Sequence, residues 1–332
     1  MSGGKMEGMR EIKFTALTRR DTPHRIGTIP ALQLPLSTTL SLCFTLGTSV
    51  ASSLMSASPS IIACLGPKGS FSHLLTQQRF PDAAVQLMGT IGEVFDYLGT
   101  HTDALGIVPI ENSSGGFIID TVDRLVDERC TLHIVEELTL DVKLALLGKP
   151  GISVQTIHSH AMPFFHCDEW LTAHYPDAKR VVEASTSKAA EKAATLDGAA
   201  AIGPRQNAQR HGLALLHFPI AGDVPNITQF YVLSHAANTP STQNNRTALV
   251  VELPDRPGSL CRFLTPLSEA ALNLKRLESR PLRGQPNKYR FYIEIEGSPA
   301  QPAVQAALDQ TRADGAVIRS VGSYPAGRRF ES

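Results

Sequence analysis

Residues 109–116 read Pro-Ile-Glu-Asn-Ser-Ser-Gly-Gly, which gathers acid, amide and hydroxyl side chains beside two glycines. They follow an apolar run, Ala104-Leu105-Gly106-Ile107-Val108, that reads as a buried strand ending at Ile110. They precede Phe117 to Leu125, whose apolar spacing is helical. Such side chains between a strand end and the free N–H groups of a helix start suit a small anionic ligand. The same run is also ordinary turn and cap chemistry. Related chemistry recurs in Gly66-Pro67-Lys68-Gly69-Ser70-Phe71-Ser72-His73, in Ser185-Thr186-Ser187-Lys188, and in Asn226-Ile227-Thr228-Gln229-Phe230. The first is a glycine turn running into a helix, a plausible nest for a carboxylate.

The elements that must position these residues alternate. Ile61 to Leu65 reads as a strand and Ser70 to Phe80 as a helix. Thr90 and Glu93 fit a capping box. Leu132–Val135, Val142–Leu147, Ile152–Ser159, Ala199–Ile202 and Thr228–Leu233 read as strands, and Phe164–His174 and Ser187–Leu196 as helices. Alternation of this kind implies open α/β sheets with ligands at the strands' carboxyl ends. Residues 236–245 are polar and without apolar periodicity, and read as a linker. Beyond them come a strand at Thr247–Leu253, a helix at Gly258–Ala271, strands at Leu274–Ser279 and Tyr289–Glu296, a helix at Ala303–Arg312 and a strand at Ala316–Val321. That βαββαβ order is ferredoxin-like.

The 332 residues suggest about two domains. Lys plus Arg equals Asp plus Glu at 31 each, which leaves no basic footprint for nucleic acid. Five dispersed cysteines without a Cys-x-x-Cys fit a reducing compartment. Residues 1–58 are rich in Leu, Ser and Thr. They read as a disordered or mis-assigned extension, with a start at Met55, or as a targeting segment. Pro30 and Pro35 break the apolar run, so no membrane span is expected. His158, His160, His166, Cys167 and His174 lack a recognised ligand spacing, and neither a metal nor a cofactor is expected.

Taken in order with Pro257-Gly258-Ser259-Leu260 and Glu278-Ser279-Arg280-Pro281, these motifs resemble prephenate dehydratase with a C-terminal ACT regulatory domain, over roughly residues 60–325. The resemblance implies a catalytic domain at 59–235, two-lobed like a periplasmic binding protein. Lobe one takes 60–137 and 222–235, and lobe two takes 138–221. The ACT domain spans 246–325. It implies cytoplasmic decarboxylating dehydration of prephenate to phenylpyruvate in L-phenylalanine biosynthesis. Phenylalanine is the implied effector, and a homodimer or homotetramer forms through the ACT domains. No chorismate mutase segment is expected in residues 1–58.

The resemblance assigns Thr228 as the hydroxyl that protonates the departing hydroxide, with Asn112 and Ser113 as catalytic partners. Ser70, Phe71, Ser72, Glu111, Ser185, Thr186, Gln229 and Phe230 are assigned to the substrate. Pro257, Gly258, Ser259, Leu260, Glu278, Ser279, Arg280 and Pro281 are assigned to phenylalanine. Glu111 beside a dianion is unfavourable and is better suited to orienting backbone. Two positions depart from the family pattern. Leu144 stands where a His is usual, and Gln229 where the family has Arg. If residue 229 faces substrate, losing the guanidinium costs about 1–2 kcal/mol of binding, with Lys68, Lys188 or Arg205 as substitutes. Gln229 also keeps open an arogenate dehydratase, a non-aromatising prephenate decarboxylase, or a catalytically silent phenylalanine sensor.

Overall fold

The computed structural model describes residues 61–282 and 288–332; the N-terminal extension and the candidate start at Met55 lie outside the described residues. Lobe one opens with β1 (Ile61–Leu65), α1 (Phe71–Arg79), β2 (Ala84–Met88), α2 (Ile91–Leu98), β3 (Leu105–Asn112), β4 (Gly116–Phe117), α3 (Ile119–Val126) and β5 (His133–Asp141). Lobe two holds β6 (Leu144–Gly148), β7 (Thr156–Ser159), α4 (Ala161–His166), α5 (Asp168–His174), β8 (Lys179–Val182), α6 (Thr186–Thr195), β9 (Ala199–Gly203), α7 (Gln206–His211) and β10 (Ala214–Ile220). The chain returns to lobe one through β11 (Ile227–Ser234). It then builds the C-terminal domain from β12 (Arg246–Glu252), α8 (Ser259–Glu269), β13 (Leu274–Pro281), β14 (Tyr289–Glu296), α9 (Pro302–Ala313) and β15 (Val317–Tyr324). A last strand, β16 (Arg328–Glu331), follows.

The sheets run β16-β5-β11-β3-β1-β2 with β4 on β3, then β10-β6-β9-β7-β8, then β13-β14-β12-β15. The third is an antiparallel ferredoxin-like sheet. Leu249, Val251, Ile293 and Ile295 pack under α8 and α9 with Phe263, Leu267, Val304 and Leu308. Its other face brings Ala248, Val250, Tyr292, Val321 and Tyr324 against Ile110, Ile134, Tyr231 and Leu233 of lobe one, in one continuous core. The reverse face of lobe one shares its core with lobe two, through Ile107, Leu138, Leu140, Phe230 and Val232 against Leu144, Leu146, Ile157, Ile202 and Ile220.

Several boundaries differ from the sequence expectations. β3 continues through Asn112 instead of ending at Ile110, because Glu111 and Asn112 pair with Phe117 and Gly116 in a hairpin. The Asn-Ser-Ser-Gly-Gly run is therefore a hairpin loop and not a helix start. Gly116, at φ +72°, takes a backbone conformation that suits glycine. β5 pairs with β11 from His133 to Asp141, so the chain crosses between lobes at residues 142–143 and not after 137. Glu136, Glu137 and Thr139 interrupt the apolar pattern and masked that strand. The helix expected over 164–174 breaks at Cys167 into α4 and α5. The capping box forms with a shift: Thr90 accepts from the Glu93 N–H, but Glu93 reaches back to the Gly89 N–H. The polar segment 236–245 is tied down, since the side-chain amides of Asn238 and Asn244 donate to the Ser323 carbonyl.

Candidate active site

The pleat of β11 decides which side chains share a space. Successive residues of a strand face opposite sides. Asn226, Thr228 and Phe230 line a cavity of about 280 Å³ between the lobes, whereas Gln229 and Tyr231 face the C-terminal domain. The register carries this to the neighbouring strand. Thr228 pairs with Asn112 and Gln229 with Glu111, while Phe230 pairs with Pro109, so Ile110 is the extra residue of a bulge.

Asn112 is locked by four hydrogen bonds, the full capacity of an amide side chain. Its Nδ2 donates to Thr228 Oγ1 at 2.8 Å and to Asn226 Oδ1 at 3.0 Å. Its Oδ1 accepts from the N–H groups of Ser114 and Gly115. Ser113 is turned to the return strand instead: its hydroxyl donates to the Pro225 carbonyl and accepts from the Ile227 N–H. The hydroxyl this loop gives to the cleft is that of Ser114, 3.1 Å from His166 Nδ1 on lobe two.

Two helix N-termini face the cavity. Ser70 caps α1, accepting from the His73 N–H and donating to the Leu65 carbonyl. Ser185 caps α6 by accepting from the Lys188 N–H. The Ser70 hydroxyl is thus committed in both roles, whereas Ser185 accepts and keeps its O–H for the cleft. The first-turn N–H groups at Phe71 and Ser72, and at Thr186 and Ser187, are those to which an α-helix offers no internal partner. The glycine turn ahead of α1 is held by a Gly69 N–H bond to His73 Nδ1. Burial pushes that imidazole's pKa down, helped by Arg210 and Lys68, which keeps the ring a neutral acceptor.

The cleft wall contains no Arg or Lys among the described residues, and its titratable groups are His160 and His166. Burial pushes His166 down as well. Leu144 lines the same cavity. Sequence reasoning weighed His160 and His166 only as metal ligands. Among the described residues no group of three or more His, Cys, Asp or Glu is placed to hold a metal ion.

Glu111 and Gln229, both assigned to substrate from sequence, meet Arg276 of β13 behind the cleft. Arg276 Nε lies 2.7 Å from Glu111 Oε2, its Nη2 donates to Gln229 Oε1, and its Nη1 lies 2.6 Å from Glu137 Oε2. The proposed substitutes for a guanidinium at 229 stand elsewhere: Lys68 is exposed on the glycine turn outside the cleft wall, Lys188 pairs with Glu191, and Arg205 covers the Phe218 ring.

A second cavity, of about 550 Å³, lies in the C-terminal domain. Gly258, Ser259 and Leu260 form part of its wall with Pro254, Arg256 and Tyr289. Pro257, and Glu278, Ser279, Arg280 and Pro281 of β13, also assigned to phenylalanine from sequence, do not line this cavity. Arg280 turns to lobe one, with Nε 2.5 Å and Nη2 3.0 Å from the Asp123 carboxylate on α3.

A two-lobed α/β cleft with a ferredoxin-like C-terminal domain packed behind one lobe is the class this architecture defines. The prephenate dehydratase family model matches residues 62–238, and the ACT domain model residues 247–313. The chain belongs to the prephenate dehydratase family of carbon–oxygen lyases and carries an ACT domain. It is 32% identical over 291 residues to a prephenate dehydratase of Mycolicibacterium vanbaalenii, covering 80% of this chain and 91% of that one. Among solved structures it resembles the prephenate dehydratase of Arthrobacter aurescens in complex with L-Phe (TM-score 0.71, 28% identity, 80% of this chain, 89% of that one). It resembles GqqA, described as a novel type of quorum quenching acylase, to the same degree (TM-score 0.71, 28% identity, 80% and 98%).

Proposed function

We propose that the interlobe cleft binds prephenate and that Thr228 protonates the departing hydroxyl. In the reaction, the bond from the ring to its carboxylate breaks and carbon dioxide leaves. The electron pair moves into the ring as the opposite C–O bond breaks, and hydroxide departs as water with a proton from Thr228 Oγ1. A solvent proton restores the threonine. The observation that carries this reading is the Asn112–Thr228 hydrogen bond at 2.8 Å. An amide N–H donated into the Thr228 oxygen stabilises the negative charge that builds there as the proton leaves. The first turns of α1 and α6 supply the substrate carboxylates with N–H donors and two positive dipole ends, so a dianion needs no guanidinium in the cleft wall. Ser114 and His166 close the far side. Ser113 serves by fixing the loop to β11.

An acylase of the nucleophilic kind needs an activated hydroxyl. Among the described residues of the cleft wall the hydroxyl that meets a basic side chain is Ser114, 3.1 Å from His166 Nδ1, whereas Thr228 meets the Asn112 amide, so an acylase would act through Ser114 and the lyase through Thr228.

For the ACT domain, the cavity beside Gly258, Ser259 and Leu260 supports phenylalanine as effector, in a homodimer or homotetramer. The L-Phe complex of the Arthrobacter relative supports the same reading. The test is phenylpyruvate formation from prephenate, with and without phenylalanine, by the wild type, T228V and T228S. Loss of about 10²–10⁴-fold in T228V, with T228S largely active, is expected for a proton donor. Wild-type turnover in T228V refutes it.

A further inference from the structure

Arg276 is a charged side chain with 4% of its surface exposed, at the junction of two domains. Its guanidinium touches five groups on four strands. Glu111 is on β3, Gln229 and the Tyr231 hydroxyl (3.1 Å) on β11, Glu137 on β5, and Glu294 on its neighbouring strand β14. A planar five-donor fork can grip several acceptors at fixed angles, which a lysine ammonium cannot do. Burial works against the charge of Arg276, but Tyr231, Glu294 and Glu137 outweigh it and hold the side chain protonated.

What the fork grips is specific. Glu111 and Gln229 are cross-strand partners, and the next residue of each strand, Asn112 and Thr228, forms the hydrogen-bonded pair on the opposite face. One guanidinium therefore ties β3 to β11 directly behind the reactive pair. The side chain comes from β13, two residues before Glu278, and Arg280 of the same strand anchors α3 through Asp123.

We propose that Arg276 is a positioning residue for the lyase reaction: from the ACT sheet it sets the spacing of β3 and β11, and with it the Asn112–Thr228 contact. The inference rests on the reading of Thr228 as proton donor. It makes the ACT domain part of the working geometry of the catalytic lobe, and a shift of β13 would reach Thr228 through a single side chain.

The test compares Arg276→Lys, Glu111→Gln and T228V in the full chain by steady-state kinetics on prephenate and by thermal unfolding. Arg276→Lys keeps the charge that Glu137 and Glu294 require, and Glu111 is one-third exposed, so both variants should fold. The expected result is a kcat lowered about tenfold in Arg276→Lys and about threefold in Glu111→Gln, with KM within about twofold of wild type in each. Wild-type kcat in both, with turnover lost in T228V, overturns the role of Arg276 and leaves the proton donor standing. A rise in KM at unchanged kcat in Glu111→Gln overturns it too, by placing Glu111 on the substrate. Wild-type turnover in T228V overturns both readings together.

Discussion

The two faces of the β3–β11 strand pair differ more than their neighbouring residue numbers suggest. The cleft face presents Asn112, Thr228 and Phe230, a neutral surface closed by helix N-termini. The opposite face presents Glu111, Gln229 and Tyr231 to Arg276, Glu137 and Glu294, an ionic cluster buried at Arg276, Glu137 and Glu294 and reaching water at Glu111. A reaction that expels hydroxide gains from a proton donor that stays neutral and a wall that does not bind product too tightly. Holding two strands in register gains from multidentate contacts in a low dielectric. The pleat lets one pair of strands serve both needs without placing a carboxylate near a dianionic substrate.

The strongest way to break this arrangement is to part the two domains. A Cβ added at Gly322 of β15 would stand 2.2 Å from the Ile134 carbonyl oxygen of β5, with only backbone to yield. Gly322→Ala is expected to cost about 3 kcal/mol, read by urea unfolding, and to lower kcat as Arg276 is drawn back. An unchanged unfolding midpoint would show that the domains need no close approach there.

Asn112→Asp probes the cleft face alone. It retains the acceptor for the Ser114 and Gly115 N–H groups but replaces the donor to Thr228 with a carboxylate oxygen. The expected loss in kcat/KM is about 10²-fold or more, with stability nearly preserved. Gln229→Ala sharpens the contrast from behind. Losing its hydrogen bond to Arg276 should cost about 1 kcal/mol of stability, with KM for prephenate unchanged. A large KM increase would instead place residue 229 on the substrate.

The smallest effect concerns pH. Burial pushes the Glu137 carboxyl above its ordinary range, and the like charge of Glu294 adds to this, while Arg276 partly offsets both. The folded state then holds that proton to higher pH than the unfolded chain. The associated stability is complete below the unfolded value near 4.5 and is lost as pH rises through the raised folded value. Glu137→Gln cannot titrate, so the fall in Tm as pH rises above the ordinary carboxylate range should be smaller in that variant.

Much of this was legible from residue order. The motifs placed Thr228, Asn112, Ser70 to Ser72 and Ser185–Thr186 around one cleft, and the βαββαβ pattern gave the C-terminal domain. Facing was harder to read. Ending β3 at Ile110 left Glu111, Asn112 and Ser113 in one loop, whereas the extended strand and its bulge send them to different surroundings. Treating Thr228-Gln229-Phe230 as a block put Gln229 on the substrate, although period-two alternation separates it from both neighbours. Arg276 gave no local signal, because Tyr231 and Glu111 lie 45 and 165 residues away in the chain. The strands β2, β4, β8, β10 and β16 were missed. They are short or half-exposed, and neighbours more than propensity hold them in place.

The final strand has a mechanical consequence. β16 re-enters the seven-stranded sheet as a parallel partner of β5, with Arg328 to Glu331 beside Leu138 to Asp141. The ACT domain is therefore threaded into lobe one at both ends, once after β11 and once before β16. A module hung on a single tether has a free pivot and can swing aside when its ligand arrives. One clamped at two points has no such pivot. Any rearrangement within it must emerge as sliding or torsion of β11, the strand that carries Thr228, and of its neighbour β5.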